Sequence, residues 1–280
     1  MMNKKLSVAT VQNSQSGGTE CPSVDKQAIA LAFGRAAKDY DKAASFQRQV
    51  GGRLLAKLPS VIATGTRVLD LGCGTGFFSQ QISSRGLQVD AVDLSPEMLE
   101  QARLRCGNQV NYILADAEAL PMADSTYDIA FSSLALQWCD DLATPLKELK
   151  RVVRHGGLIV FTTLVEGSLD ELTQAWQQVD QYQHVNSFLS QKAVKVALAQ
   201  AGCMRYDLEF SPITLYFNSA VELMRDLKGI GATHLQQGRK AGLAGRKTIL
   251  DLESAYNVFR HENGQLPATY QVCFGVIIND

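Results

Sequence analysis

The feature that most constrains this chain is an apolar run, Val68-Leu69-Asp70-Leu71, that stops at three alternating glycines in Gly72-Cys73-Gly74-Thr75-Gly76. The segment Phe77 to Ile82 follows, with Phe78 and Ile82 at helical spacing. Such a succession reads as strand, tight turn and helix. Glycine accepts positive φ and has no Cβ, so the backbone can pass close against a bound molecule. The turn therefore points to a nucleotide-like ligand at the strand's exit. The dinucleotide fingerprint G-x-G-x-x-G does not fit, because its last position is Phe77 and the third glycine comes one place early, at Gly76.

Placed after Leu-Asp-Leu, the pattern D-x-G-x-G-x-G resembles motif I of the Rossmann-like S-adenosylmethionine-dependent methyltransferases. The resemblance implies a mostly parallel sheet with an antiparallel last strand, helices on both faces and a helical lid. It makes Asp70, Gly72, Cys73, Gly74 and Gly76 cofactor-binding candidates. Gln88 to Asp93 reads as a second strand ending in an acid, with Ser95 capping the next helix and Pro96 in its first turn. A strand-end carboxylate can accept both ribose hydroxyl protons, which assigns Asp93 that role, with Leu94 and Met98 beside it. After a third strand, Val110 to Leu114, the resemblance places Asp116 at the adenine amino group, with the backbone of Ala117 facing the ring. Tyr127 to Ser133 reads as the fourth strand, and the carboxyl end near Ser132 is expected to face the sulfonium methyl. The exit Ser132-Ser133-Leu134-Ala135 lacks the D/N-P-P-Y turn of exocyclic-amine methyltransferases, and Cys139 reads as a buried thiol. A helix ending at His155-Gly156-Gly157 and a fifth strand, Leu158 to Thr163, complete the core signature.

Composition narrows the remaining classes. The 280 residues are 46% hydrophobic and 20% charged, with a formal net charge of −1. That balance is ordinary for a globular protein and supplies no global field for nucleic acid or an anionic membrane. Six scattered cysteines without a C-x-x-C pair suggest neither a metal site nor a disulfide framework, and a cytoplasmic location is expected. Residues 1–24 are polar and expected to form a disordered arm, leaving 25–280 as a single domain. Apolar spacing from Asp25 to Leu58 predicts two amphipathic helices before the first strand. Between them, Ala36-Ala37-Lys38-Asp39-Tyr40-Asp41 resembles the methyltransferase element that folds over the cofactor mouth and brings its tyrosine near the methyl group. Tyr40 reads equally well as a half-buried packing residue.

Helical insertions are expected at about 168–195 and 218–262, the first over Leu169 to Leu189. The stretch Leu227-Lys228-Gly229-Ile230-Gly231-Ala232-Thr233-His234, the basic run Gly238 to Lys247 and Leu266-Pro267-Ala268-Thr269-Tyr270 follow. Together with the start near Tyr40, they resemble the malonyl-[acyl-carrier protein] O-methyltransferase family of biotin synthesis, from about Asp25 to the C-terminus. The resemblance implies methyl transfer from S-adenosylmethionine to the free carboxylate of a malonyl thioester on acyl-carrier protein, with no metal. That carboxylate is already ionised near pH 7, so no general base is expected. Lys228, His234, Arg239 and Arg246, with Tyr40, are candidates for positioning the substrate. The basic run suits an acidic carrier surface and equally a solvated loop. Two other readings share the cofactor motifs: a small-molecule C- or O-methyltransferase of the quinone or polyketide type, and a cofactor-binding regulator without turnover.

Overall fold

The computed structural model describes residues 25–232 and 246–280. The expected arm at 1–24 lies outside them, as do His234 and Arg239. The chain begins with α1 (Lys26–Ala36), the short α2 (Tyr40–Ala43) and α3 (Ser45–Leu55). Three helices thus stand where the spacing predicts two, because the Ala36-to-Asp39 stretch turns before Tyr40 opens a new turn. The core then alternates β1 (Arg67–Leu71), α4 (Phe77–Ser83), β2 (Gln88–Asp93), α5 (Pro96–Cys106), β3 (Val110–Leu114), β4 (Tyr127–Ser133), α6 (Ala143–Val152) and β5 (Val153–Leu164). It ends with α7 (Asp170–Gln177), α8 (Gln191–Gln200), β6 (Arg205–Phe217), α9 (Ala220–Gly229), α10 (Arg246–Tyr256) and β7 (Leu266–Ile278). No helix among the described residues is long and apolar enough to cross a membrane.

The strands form one sheet in the order β3-β2-β1-β4-β5-β7-β6. β7 pairs antiparallel with both β5 and β6, and the other pairings are parallel. Val68, Leu69, Asp70 and Leu71 of β1 are all buried, as a strand covered on both faces requires. Val50 and Leu54 of α3, Ile82 of α4 and Leu99 of α5 pack in one core, whereas Leu146 and Leu149 of α6 and Val194 and Leu198 of α8 pack in another. Strand order reverses direction between β1 and β4, so a crevice opens outside their carboxyl ends.

Two local expectations are corrected. The predicted helix from Leu169 to Leu189 stops at Gln177, because side chains compete for the following backbone. Asp180 accepts from the Tyr182 amide at 2.9 Å and Gln183 donates to the Val185 carbonyl at 2.9 Å. The His155-Gly156-Gly157 turn likewise does not separate helix from strand. It lies within β5, whose register against β4 shifts between Tyr127 and Ile129.

Gly156 at φ +75° absorbs that irregularity, and a Cβ on Gly157 would meet the Arg154 and Asp128 carbonyl oxygens at 2.8 Å. Asn279 pins the bulge from the end of β7. Its buried side-chain amide donates to the carbonyls of Lys150 at 2.9 Å and Val153 at 2.7 Å. Asn279→Ala leaves those carbonyls unpaired and is expected to lower unfolding free energy by about 1–3 kcal/mol, read from urea unfolding.

Candidate active site

The glycine turn builds the site by letting three backbones approach. Gly72, Gly74 and Gly76 take φ values of +73°, +55° and +76°. The Gly72 and Cys73 amides donate to the Val92 carbonyl at 2.8 and 2.9 Å, tying the β1 exit to β2. A Cβ on Gly72 would stand 2.2 Å from the Ala135 Cβ, so the β1 and β4 exits can lie together only with glycine there. Gly76 faces Ala102 of α5 in the same manner, whereas a Cβ on Gly74 would meet nothing within 4 Å. Gly74 borders open space.

Asp70 does not face that space alone. Its side chain is buried and accepts the Ser79 hydroxyl at 2.5 Å, joining β1 to α4. Burial pushes its carboxyl up to about 7, opposed by the Ser79 hydrogen bond and reinforced by the nearby Asp93 charge. Asp93 itself accepts from the Gly74 amide at 2.8 Å through Oδ2 and from the Ser95 amide at 2.9 Å through Oδ1. Burial raises it nonetheless, against those amide bonds.

Three cavities meet above the sheet. One runs past Gly72, Gly74, Asp93, Met98, Asp116 and Trp138. A second, at the end of β1, is lined by Asp70, Cys73, Thr75, Phe78 and Ser133. The third is largely aromatic and aliphatic, with Phe46, Leu164, Phe188, Leu227 and Tyr270 in its wall. Tyr40 lines all three. Its hydroxyl is raised by burial first, then by the Asp93 and Asp41 charges, so it stays protonated. Leu134 lines the first and third cavities and holds φ at +53°, with its amide donating to the Thr162 hydroxyl at 2.9 Å. A leucine in that conformation is a strained backbone at the β4 exit, where the chain turns between the two cavities.

α1 covers the first cavity. Lys26 donates to Asp116 Oδ1 at 3.0 Å and to Glu118, and Phe33 stands edge-on to Trp138 at 5.2 Å between centroids. Neither Lys26 nor Phe33 was marked by any motif; Phe33 reads only as part of a helical stripe. The cofactor candidates Gly72, Gly74, Asp93, Leu94, Met98, Asp116 and Ala117 are brought together along this cavity. Asp70 and Cys73 line the second. Gly76 and Ser132 line none of the three; Ser132 is buried and donates to the Leu71 carbonyl at 2.9 Å, bracing β4 against β1. Lys228 is exposed on α9, and the Arg246 side chain lies outside the described residues.

Residues 69–161 match the methyltransferase domain family. The chain is 48% identical over 257 residues to the malonyl-[acyl-carrier protein] O-methyltransferase of Serratia marcescens, covering 92% of this chain and 97% of that protein. It is 48% identical over 259 residues to the protein of that name from Yersinia pestis, covering 92% and 93%. Among solved structures, the YcgJ protein of Bacillus subtilis aligns with a TM-score of 0.56 at 17% identity, over 82% of this chain and 98% of that one. A Haemonchus contortus phosphoethanolamine N-methyltransferase holding S-adenosylhomocysteine aligns with a TM-score of 0.53 at 19% identity, over 84% and 56%. The structural likenesses show the shared fold.

The Asp70 carboxyl gives a pH test. Its ordinary value is 3.8 and its folded value about 7, so between these the folded protein retains a proton that the unfolded chain has released. Stability from this group is therefore complete below the lower value and is lost as pH rises through the upper one. Asp70→Asn keeps an acceptor for Ser79 and has no proton to lose. Its melting temperature is expected to gain on the parent between about pH 5 and pH 8, by a few degrees, in ligand-free protein.

Proposed function

We propose that this chain, which belongs to the malonyl-[acyl-carrier protein] O-methyltransferase family, methylates the terminal carboxylate of a malonyl thioester carried by acyl-carrier protein, with S-adenosylmethionine as methyl donor. The carrying observation is the extent of the identity. It spans 92% of the chain and so includes segments after β5 that build the acceptor cavity, beyond the 69–161 domain that many methyltransferases share. A small-molecule quinone or polyketide methyltransferase has no such support. The methyl ester presents an uncharged chain end to elongating enzymes, the chemistry expected of a primer for pimeloyl synthesis in biotin formation.

S-adenosylmethionine supplies an electrophilic methyl group on a sulfonium sulfur. The residues around the first cavity fit it. Asp93 is fixed by backbone amides on both oxygens, yet burial still raises it, so its remaining lone pairs favour further donors such as a ribose diol. Gly74 leaves room for a ligand's close approach. Asp116, held through Oδ1 by Lys26 and by the Glu118 amide at 3.0 Å, is assigned the adenine amino group.

The substrate carboxylate needs no deprotonation near neutral pH, so the protein's task is alignment in a dry cavity. Leu134, Phe46, Tyr270 and Trp138 exclude water around the third cavity. Tyr40, protonated and common to all three cavities, can donate a hydrogen bond at their junction without acting as a base.

Base-labile transfer of labelled methyl to malonyl carrier protein, with malonyl coenzyme A, succinyl carrier protein and free malonate alongside, tests the reading; cofactor binding without label on any of them would sink it. Asp93→Ala is expected to weaken S-adenosylhomocysteine binding by about tenfold to a hundredfold in calorimetry while the protein stays folded.

A further inference from the structure

We propose that Gln47 is the hydrogen-bond donor that holds the terminal carboxylate of the acyl substrate at the methyl-transfer point, an assignment that rests on the carboxyl methyltransferase reading above. The cavity along β1 shares Tyr40, Gly72, Gly74 and Ser133 with the first cavity. A cofactor held in the first by Asp93 and Asp116 can therefore extend its sulfonium end into the cavity along β1, and the methyl group then passes from there to the aromatic cavity. Among the described residues, only Tyr40 and Gln47 line both. Gln47 lies on α3 between Phe46, which stacks on Tyr270 at 4.0 Å, and the buried Val50, so its backbone is held on a packed helix.

Its amide oxygen is nevertheless left unsatisfied. Oε1 is sealed from solvent with no hydrogen-bond partner among the described residues. A buried polar group without a partner destabilises a fold, so one retained at the junction of two cavities indicates a partner that arrives with the substrate. Oε1 is an acceptor and a carboxylate has no proton to give, so the substrate is held with χ3 turned by 180°, which puts Nε2 and its N–H donors where Oε1 stands.

Charge explains why an amide suits this place. A lysine or arginine there would put a second cation beside a sulfonium and draw electron density from the oxygen that must attack. No lysine or arginine lines the acceptor cavity among the described residues. Arg48, which reaches the β1 cavity, donates to the Asp41 carbonyl at 2.7 Å and lies over the Phe77 ring. His184 lines the acceptor cavity, but it stacks on Trp176 and its Nε2 stands 2.8 Å from Asp180 Oδ1. Gln47 orients the anion while leaving it nucleophilic.

The test crosses a change in the protein with a change in the ligand. Gln47→Leu is measured for methyl transfer to malonyl carrier protein and for inhibition by acetyl carrier protein, which lacks the carboxylate. The expected result is S-adenosylhomocysteine affinity within about twofold of the parent, a kcat/KM for the malonyl form lower by roughly 30-fold or more, and an unchanged acetyl inhibition constant. Equal losses for the malonyl and acetyl forms, or a malonyl kcat/KM loss smaller than about 30-fold, would overturn the assignment.

Gln47→Glu is the second variant and serves if the leucine protein fails to bind S-adenosylhomocysteine. A carboxylate facing a carboxylate should suppress transfer near pH 8, with activity recovering relative to the parent as pH falls and the new side chain gains a proton. A parent-like pH profile would count against Gln47. If the parent protein itself labels small-molecule acceptors and no malonyl thioester, the carboxyl methyltransferase reading fails, and this assignment with it.

Discussion

The contact between the β1 and β4 exits is the constraint on which the rest of the site depends. At Gly72 a side-chain carbon would fall 2.2 Å from the Ala135 Cβ, so glycine alone lets the two loops touch. That contact places the open space beside Gly74 next to the turn at Leu134, while the pairing of β1 with β2 brings the Asp93 charge within reach of the buried Asp70. Ser79 and the backbone amides of Gly74 and Ser95 then stabilise two carboxyls that burial alone would disfavour in ionised form.

The helices before β1 complete what the sheet begins. α1 spans the first cavity through Lys26, Asp116 and Glu118, and α2 and α3 carry Tyr40 and Gln47 to the line where the cavities adjoin. A lone tyrosine on a short helix reads as core or as function from its spacing. Its lining of all three cavities supports function, and burial accounts for its proton.

The features legible in the sequence were local ones. Strand, glycine turn and helix around Gly72, the strand-end Asp93 and the Ser95 cap that accepts from the Met98 amide at 3.3 Å all follow from neighbours within a few residues, whereas the closing antiparallel pair follows from the family resemblance. What escaped depends on distance or competition. Lys26 finds Asp116 ninety residues away, and no spacing rule reaches that far. The helix after Leu169 ends early because Asp180 and Gln183 offer the backbone alternative partners. Gly156 and Gly157 look like a turn until Asn279 arrives from the other end of the chain to hold them inside β5. Gln47 carries no motif, and the partner proposed for it is absent from the chain itself.

The aromatic and aliphatic walls of the acceptor cavity have a consequence for the direction of the chemistry. A carboxylate and a sulfonium are opposite charges, and methyl transfer between them yields an ester and a thioether, both neutral. Surroundings of low polarity penalise separated charges and are indifferent to their disappearance. A cavity walled by Phe46, Leu164, Phe188 and Tyr270 therefore favours the transition state, in which charge is cancelling, over the ion pair that precedes it. The same walls let go of a product that no longer carries the charge by which its precursor was held.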